Sequence, residues 1–200
     1  MIRYVATLLF AFSAVALGAS GNISKVNSSI RVDDGGQAGD VSTVNGSITI
    51  GRNASVREVD TVNGSIRLDE RARAESVETV NGGVTLGEGV LVSEDVSAVN
   101  GKLTVRRGAR VGGRLENVNG EFLLEGATVG GGIETVNGDI VVGAGSRVDG
   151  GVTVEDSNSW KWRAKSRNPR LTIESGAVVN GPLRFEREVD LYVGASATVG

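Results

Sequence analysis

Cysteine and histidine are both absent from this chain of 200 residues. Without Cys there can be no disulfide framework and no thiol nucleophile. Without His the chain lacks the commonest general base and the usual zinc ligands. We therefore predict that the protein has no catalytic residues, no metal site and no cofactor, and that it is not an enzyme.

Aromatic residues and proline are also scarce. The chain has four Phe, two Trp, two Tyr and two Pro, against 30 Gly. No long segment shows the 3.6-residue periodicity of an amphipathic helix, whereas short stretches alternate apolar and polar residues. This composition predicts an all-β protein whose stability comes from stacked short strands.

The tripeptide Val-Asn-Gly recurs every 18 or 19 residues. A repeat of this length cannot bury a face alone, so it stacks on copies of itself. We expect the Asn and Gly to close a turn with positive φ. We also expect the Asn side chains to stack as a structural ladder. The predicted ladder consists of Asn45, Asn63, Asn81, Asn100, Asn119 and Asn137.

Each repeat contains three short apolar segments. The first follows the Asn, as in Ile48 and Ile50, and the second is a weaker pair such as Ala54 and Val56. The third precedes the next Asn, and we expect its last apolar residue, Val62, to face inward. Three strands and three corners predict a single-stranded triangular β-helix, a β-solenoid of about 18–19 residues per coil and roughly nine coils.

The first 19 residues do not share the repeat. Arg3 precedes an unbroken run of apolar and small residues from Val5 to Ala19. This pattern predicts an N-terminal signal helix, residues 1–19, which is removed on secretion into the periplasm or outer cell envelope of a bacterium. An uncleaved membrane anchor is the alternative, although the run is shorter than the roughly 20 residues that span a bilayer.

The repeats, residues 20–156, are interrupted by a basic insertion, residues 157–170, and resume as residues 171–200. The insertion reads SNSWKWRAKSRNPR and has no acidic residue, although the whole chain has a net charge of −3. It predicts contact with a membrane surface, a cell-wall glycan or an acidic protein, because Trp favours interfaces and stacks on sugars. The alternative is that the Trp side chains fold back over a coil edge. The candidate residues are Trp160, Lys161, Trp162, Arg163, Lys165, Arg167 and Arg170.

Two segments near the C-terminus resemble the Gly-Ala-x-Val-x-Gly rhythm of bactofilins. They are residues 173–181, IESGAVVNG, and residues 193–200, VGASATVG. Bactofilins are bacterial cytoskeletal proteins that form right-handed triangular β-helices and polymerise end to end without nucleotide at membranes. The resemblance implies a homo-oligomer or polymer. The Val-Asn-Gly array is similar to the β-strand repeats of envelope proteins described as adhesins. Hexapeptide β-helix acyltransferases and zinc hydratases depend on His, which this chain lacks.

Two further columns of side chains accompany the Asn repeat. An acidic column lies three residues before each Asn: Ser42, Asp60, Glu78, Ser97, Glu116 and Glu134. We expect a solvated acidic edge; a divalent-cation site and a glycosidase-type carboxylate pair are the alternatives. A threonine column, Thr43, Thr61, Thr79 and Thr135, resembles an ice-binding array, but Ala98 and Asn117 interrupt it.

The sequence thus predicts a non-catalytic structural protein of the bacterial envelope that self-associates through the ends of its β-helix. An adhesin-like or glycan-binding solenoid that uses the 157–170 insertion is the alternative. A carbohydrate-active enzyme is a third hypothesis. A nucleic-acid partner is not expected of a secreted chain with net negative charge.

Overall fold

The protein is a β-solenoid built from three parallel sheets. The computed structural model describes residues 21–156 and 167–200, which contain strands and turns but no helix. Each coil contributes one strand to each sheet in turn, so neighbouring strands in a sheet come from successive coils. The predicted all-β, triangular fold of about nine coils is confirmed. The predicted signal helix and residues 157–166 of the insertion lie outside the described residues.

Each of the three sheets, A, B and C, contains the strands from one side of the triangular coil. Sheet A contains β1 (Ile23–Lys25), β3 (Val41–Asn45), β5 (Glu58–Asn63), β8 (Ser76–Asn81), β11 (Val96–Asn100), β14 (Arg114–Asn119), β17 (Gly132–Thr135), β20 (Val152–Val154) and β23 (Leu183–Phe185). Sheet B contains β2 (Ile30–Val32), β4 (Ile48–Ile50), β6 (Ile66–Leu68), β9 (Val84–Leu86), β12 (Leu103–Val105), β15 (Phe122–Leu124), β18 (Ile140–Val142), β21 (Arg170–Ile173) and β24 (Asp190–Val193).

Sheet C has the shortest strands. It contains β7 (Arg73–Ala74), β10 (Leu91–Val92), β13 (Arg110–Val111), β16 (Thr128–Val129), β19 (Arg147–Val148), β22 (Val178–Val179) and β25 (Thr198–Val199). Isolated bridges through Ser55, to Gln37 on one side and to Arg73 on the other, continue the sheet toward the N-terminus.

The core is a column of inward-facing aliphatic side chains. In β4, Ile48 and Ile50 are fully buried while Thr49 between them faces outward. Parallel pairing places Ile48 over Ile66 and Ile66 over Val84 in successive coils. The predicted inward pairs of sheets B and C are thereby confirmed, and each coil is stabilised mainly by contacts with its two neighbours.

The prediction that Val62 faces inward is wrong. In β5 the buried residues are Val59 and Thr61, while Val62 is half-exposed on the outer face. Thr61 can be buried because its Oγ1 donates a hydrogen bond to the backbone carbonyl of Gly46 in the preceding coil, at 3.0 Å. The threonine column therefore belongs to the core and cannot form an external ice-binding array.

Asn117 occupies the same core position and makes the same kind of hydrogen bond, whereas Ala98 fills the position between Thr79 and Asn117 without a polar side chain. The side chain of Asn117 is 1% exposed, and its Nδ2 donates to the carbonyl of Gly101 at 2.6 Å, as Thr79 Oγ1 donates to Gly64 at 3.1 Å. The Asn117 Oδ1 atom is buried without a hydrogen-bond partner among the described residues. Threonine is thus the better fit, because it supplies the donor without a second polar atom to satisfy.

The glycine of Val-Asn-Gly is required for a different reason from the one predicted. None of the six Asn residues has positive φ, and among the glycines that follow them only Gly101 does, with φ of 146°. A Cβ added at Gly64 would instead overlap the carbonyl oxygen of Gly46 in the coil below, and one at Gly82 would overlap that of Gly64. Glycine is present because successive coils approach too closely at this corner for any side chain.

Positive φ is needed at the corner between sheets B and C. The column at this corner consists of Gly35, Asn53, Arg71, Gly89, Gly108, Gly126, Gly145 and Gly176, all with φ between 55° and 80°. Asn53 and Arg71, at 55° and 58°, are the two members that are not glycine. Asn tolerates this conformation well, whereas a long side chain such as Arg rarely adopts it.

Candidate interaction surfaces

The asparagine side chains form a continuous hydrogen-bonded ladder along the corner between sheets A and B. Each Nδ2 donates to the Oδ1 of the Asn one coil earlier, from Asn45 to Asn27 at 2.8 Å up to Asn137 to Asn119 at 3.0 Å. Arg187 Nη1 donates to Asn137 Oδ1 at 2.6 Å. The guanidinium of Arg187 thus satisfies the Oδ1 of Asn137, the last asparagine of the ladder. Arg187 lies 50 residues further along the chain.

The base of the insertion is anchored to the coil beneath it. Arg167 Nη2 donates to Asp139 Oδ2 at 2.7 Å, and the Arg170 N–H donates to Asp139 Oδ1 at 2.9 Å. Partial burial alone would raise the pKa of Asp139, but the Arg170 N–H and the Arg167 guanidinium outweigh it and hold the pKa below its usual value. The guanidinium of Arg170 lies 5.6 Å from the ring centre of Tyr192.

Two of the seven predicted insertion residues, Arg167 and Arg170, therefore make contacts within the chain. The other five lie outside the described residues: Trp160, Lys161, Trp162, Arg163 and Lys165. Asp139 was not singled out by the sequence because its partners follow it by 28 and 31 residues, across the insertion. None of the described segments forms a helix long and apolar enough to span a bilayer.

The acidic column is less solvated than the sequence suggests. Parallel pairing places Asp60 beside Glu78 and Glu116 beside Glu134 on the outer face of sheet A. Glu116 is only 9% exposed. Arg114 Nη1 lies 3.6 Å from Glu116 Oε1 and 3.3 Å from Glu134 Oε1. The expected solvated edge is therefore a row of half-buried carboxyl groups. Within the described residues no cluster of three or more acids is arranged to hold a metal ion.

Asp60 is the most perturbed of these groups. Burial, followed by the negative charges of Glu78, Glu58 and Asp40, raises the pKa of Asp60 from 3.8 to about 7. Burial also raises the pKa of Glu78. Burial is the main cause of both shifts, and for Asp60 the nearby carboxylates, that of Glu78 in the next coil first among them, add to it.

We expect Asp60→Ser to stabilise the protein at about pH 8. Because the folded state raises the pKa of Asp60 above its unfolded value, the folded state binds more protons, and stability increases as the pH falls from about 8 toward 4. Serine occupies the same column at Ser42 and Ser97, so it fits the site. Removing the carboxylate should add about 3 kcal/mol to the free energy of unfolding at pH 8 and almost nothing at pH 4.

Urea unfolding of the parent and the variant across this pH range measures the effect. Glu125→Ser is the control, because it removes the same charge from an exposed position that does not contribute to the pKa of Asp60. An Asp60→Ser variant whose stability changes with pH as steeply as that of the parent would show that Asp60 is ionised normally.

The two ends of the described solenoid differ in exposure. In the first coil Ile30 and Val32, at inward positions of β2, are 3% and 6% exposed. In the last coil the corresponding residues of β24, Leu191 and Val193, are 43% and 49% exposed, and Val199 of β25 is 38% exposed. Among the strands that the structure describes, β23, β24 and β25 each pair with one neighbour, the strand of the preceding coil. Within residues 21–156 and 167–200, the last coil therefore exposes apolar side chains at core positions.

Comparison of the chain with protein-family models, with curated proteins and with solved structures finds no match. The resemblances to bactofilins and to adhesin repeats thus rest on the quoted sequence segments. The structure establishes a parallel β-solenoid of about nine coils.

Proposed function

We propose that the protein is a non-catalytic structural component of the bacterial cell envelope, related to the bactofilins, and that it self-associates through the end of its solenoid. The observation that carries this proposal is the exposure of the last coil, where Leu191, Val193 and Val199 occupy core positions. The proposal that the protein is exported rests on the signal pattern of residues 1–19. The absence of His and Cys favours a structural role over a catalytic one.

The chemistry of the last coil favours another coil as its partner. Edge strands with free N–H and C=O groups recruit further strands unless a charge, a proline or a covering element blocks them. The inward positions of β24 and β25 carry Leu and Val, as in the preceding coils, so an added coil would bury the same kind of surface as the coils within one chain. A second copy of this chain supplies such a surface.

We expect Val193→Asp to abolish self-association. The parent chain should show a mass that increases with concentration in sedimentation velocity and light scattering. The variant should remain a monomer, because an aspartate at this position would have to be buried unpaired at the contact. Val193 is 49% exposed, so the substitution should leave the fold of the single chain intact, as measured by circular dichroism.

Leu91→Asp is the matched control, because Leu91 is 39% exposed and lies in the middle of the solenoid on sheet C. It should self-associate like the parent. A parent chain that is strictly monomeric at all concentrations, or equal self-association of the two variants, would contradict the proposal. A monomer would leave the glycan-binding or adhesin-like role of the 157–170 insertion as the better hypothesis.

A further inference from the structure

A row of arginines runs along the outer face of sheet C. Strand pairing aligns the outward residues of successive coils in one column: Ser55, Arg73, Leu91, Arg110, Thr128 and Arg147. From Arg73 to Arg147 every second coil carries an arginine, and the column contains no acidic residue over this span. Arg147 is paired with Asp149, since its Nε lies 2.8 Å from Asp149 Oδ1, whereas Arg73 and Arg110 have no ion pair within the described residues. Since neighbouring strands are about 4.8 Å apart, the Cα atoms of these arginines recur at about 10 Å along the sheet.

Arg71 adds a third cation beside Arg73 and Arg110. It lies in the positive-φ corner column next to sheet C, with φ of 58°, where six of the eight residues are glycine. A long side chain in this conformation is strained, and strained residues are concentrated where function requires them. The strain does not serve the fold, because glycine closes the same corner in the coils above.

Arg71, Arg73 and Arg110 line a shallow depression together with Gly89, Leu91 and Gly108. No carboxylate lines this depression, and none of the three arginines has an ion pair with a described residue. The depression is open because the two glycines place no side chains beside Leu91, which is 39% exposed. Three uncompensated guanidinium groups thus surround one apolar side chain on a chain whose net charge is −3.

We propose that this arginine row binds a linear acidic polysaccharide that carries carboxylate groups at regular intervals. Arginine forms paired, charge-assisted hydrogen bonds with carboxylates, so the carboxylates of such a polymer can contact Arg73 and Arg110, with Arg71 beside them. Leu91 provides the apolar contact for the C–H face of a sugar ring. The site lies on the side of the solenoid, so it leaves the last coil free for the self-association proposed above.

The outer face of sheet C fits a polysaccharide better than a single-stranded nucleic acid. Non-specific binding of single strands uses aromatic side chains on which bases stack, and the outward column of sheet C contains none.

Calorimetric titration of the full chain with polygalacturonate at low ionic strength tests the site. Arg73→Gln combined with Arg110→Gln should weaken binding about tenfold or more, because two charge-assisted contacts are lost. The matched control is Arg31→Gln combined with Arg67→Gln. These arginines are also two coils apart in one outward column, that of sheet B, but Arg31 lies 3.9 Å from Asp33. The control should bind like the parent.

Arg71→Gly separates binding from stability. Glycine relieves the positive φ, so the variant should melt at a higher temperature than the parent and yet bind polygalacturonate more weakly. A purely structural role for Arg71 would leave affinity unchanged and overturn its assignment to the site.

Three results would overturn the proposal itself. In the first, the parent shows no binding to polygalacturonate beyond that to neutral dextran. In a second case both double variants would lose the same affinity, which would indicate general charge attraction. In a third, single-stranded DNA or polyphosphate would bind as tightly as polygalacturonate with the same dependence on Arg73 and Arg110.

Discussion

Replacing Ile66 by Asp is expected to unfold the coils around it. Ile66 is 1% exposed and packs between Ile48 and Val84 of the two neighbouring coils. An aspartate there would be an unpaired charge in a core only one layer of side chains thick, which should cost more than about 4 kcal/mol. Since domains are stable by only about 5–15 kcal/mol, circular dichroism and urea unfolding should show a largely disrupted solenoid.

Thr49→Asp is the matched control for Ile66→Asp. Thr49 alternates with the buried positions of β4 and pairs in register with Arg31 and Arg67 on the outer face. An aspartate between two arginines should be neutral or slightly stabilising. Val62→Asp should have an intermediate effect, because Val62 is half-exposed. If Thr49→Asp lowered stability as much as Ile66→Asp, the assignment of inner and outer faces would be wrong.

Gly64→Ala is expected to destabilise the protein by about 3 kcal/mol or more, at the upper end of the range for overpacking. The added methyl group would overlap the backbone carbonyl of Gly46, and a backbone atom cannot move aside as a flexible side chain can. The coils would have to separate at this corner, and the hydrogen bond from Gly64 N–H to the Asn81 carbonyl, at 3.1 Å, would be strained as well. Thermal and urea unfolding measure the loss.

Two alanine substitutions control for the change in chain entropy and side-chain volume. Gly21→Ala adds the same methyl group at a position with no heavy atom within 4 Å of the new Cβ. Ser65→Ala alters the exposed residue next to Gly64 in the same corner. Both should leave stability nearly unchanged. A Gly64→Ala variant as stable as these controls would contradict the close approach of coils that the structure shows.

The sequence predicted the repeat, the three strands per coil and most of the core. Alternation of apolar and polar residues directly encodes which side chains face inward, so pairs such as Ile48 and Ile50 were assigned correctly. The same argument failed at Thr61 and Val62, because apolar character alone was used to choose the inward residue. A buried threonine is satisfied by a carbonyl of another coil, and that partner cannot be recognised before the coils are stacked.

The site features that sequence reasoning missed all depend on contacts between coils. The glycine of each Val-Asn-Gly was predicted to close a turn with positive φ, but at Gly64 the overlap that requires glycine is with Gly46, 18 residues earlier. Asp139 and Arg187 have their partners on the far side of the insertion, where the repeat register is lost. The pairing of Asp60 with Glu78 follows from their shared place in the repeat, but the sequence did not indicate that the carboxylate of Asp40 also helps to raise the pKa of Asp60.

The central claim of a self-associating solenoid end is tested most directly by hydrogen–deuterium exchange of the unmodified chain at low and high protein concentration. The backbone N–H groups of β23, β24 and β25 at the edge of the last coil should exchange more slowly at high concentration, because a second copy would cover them. Peptides from the central coils, such as those containing β9 and β12, should exchange equally at both concentrations. Exchange in residues 183–200 that does not change with concentration, or protection confined to another part of the chain, would contradict the claim.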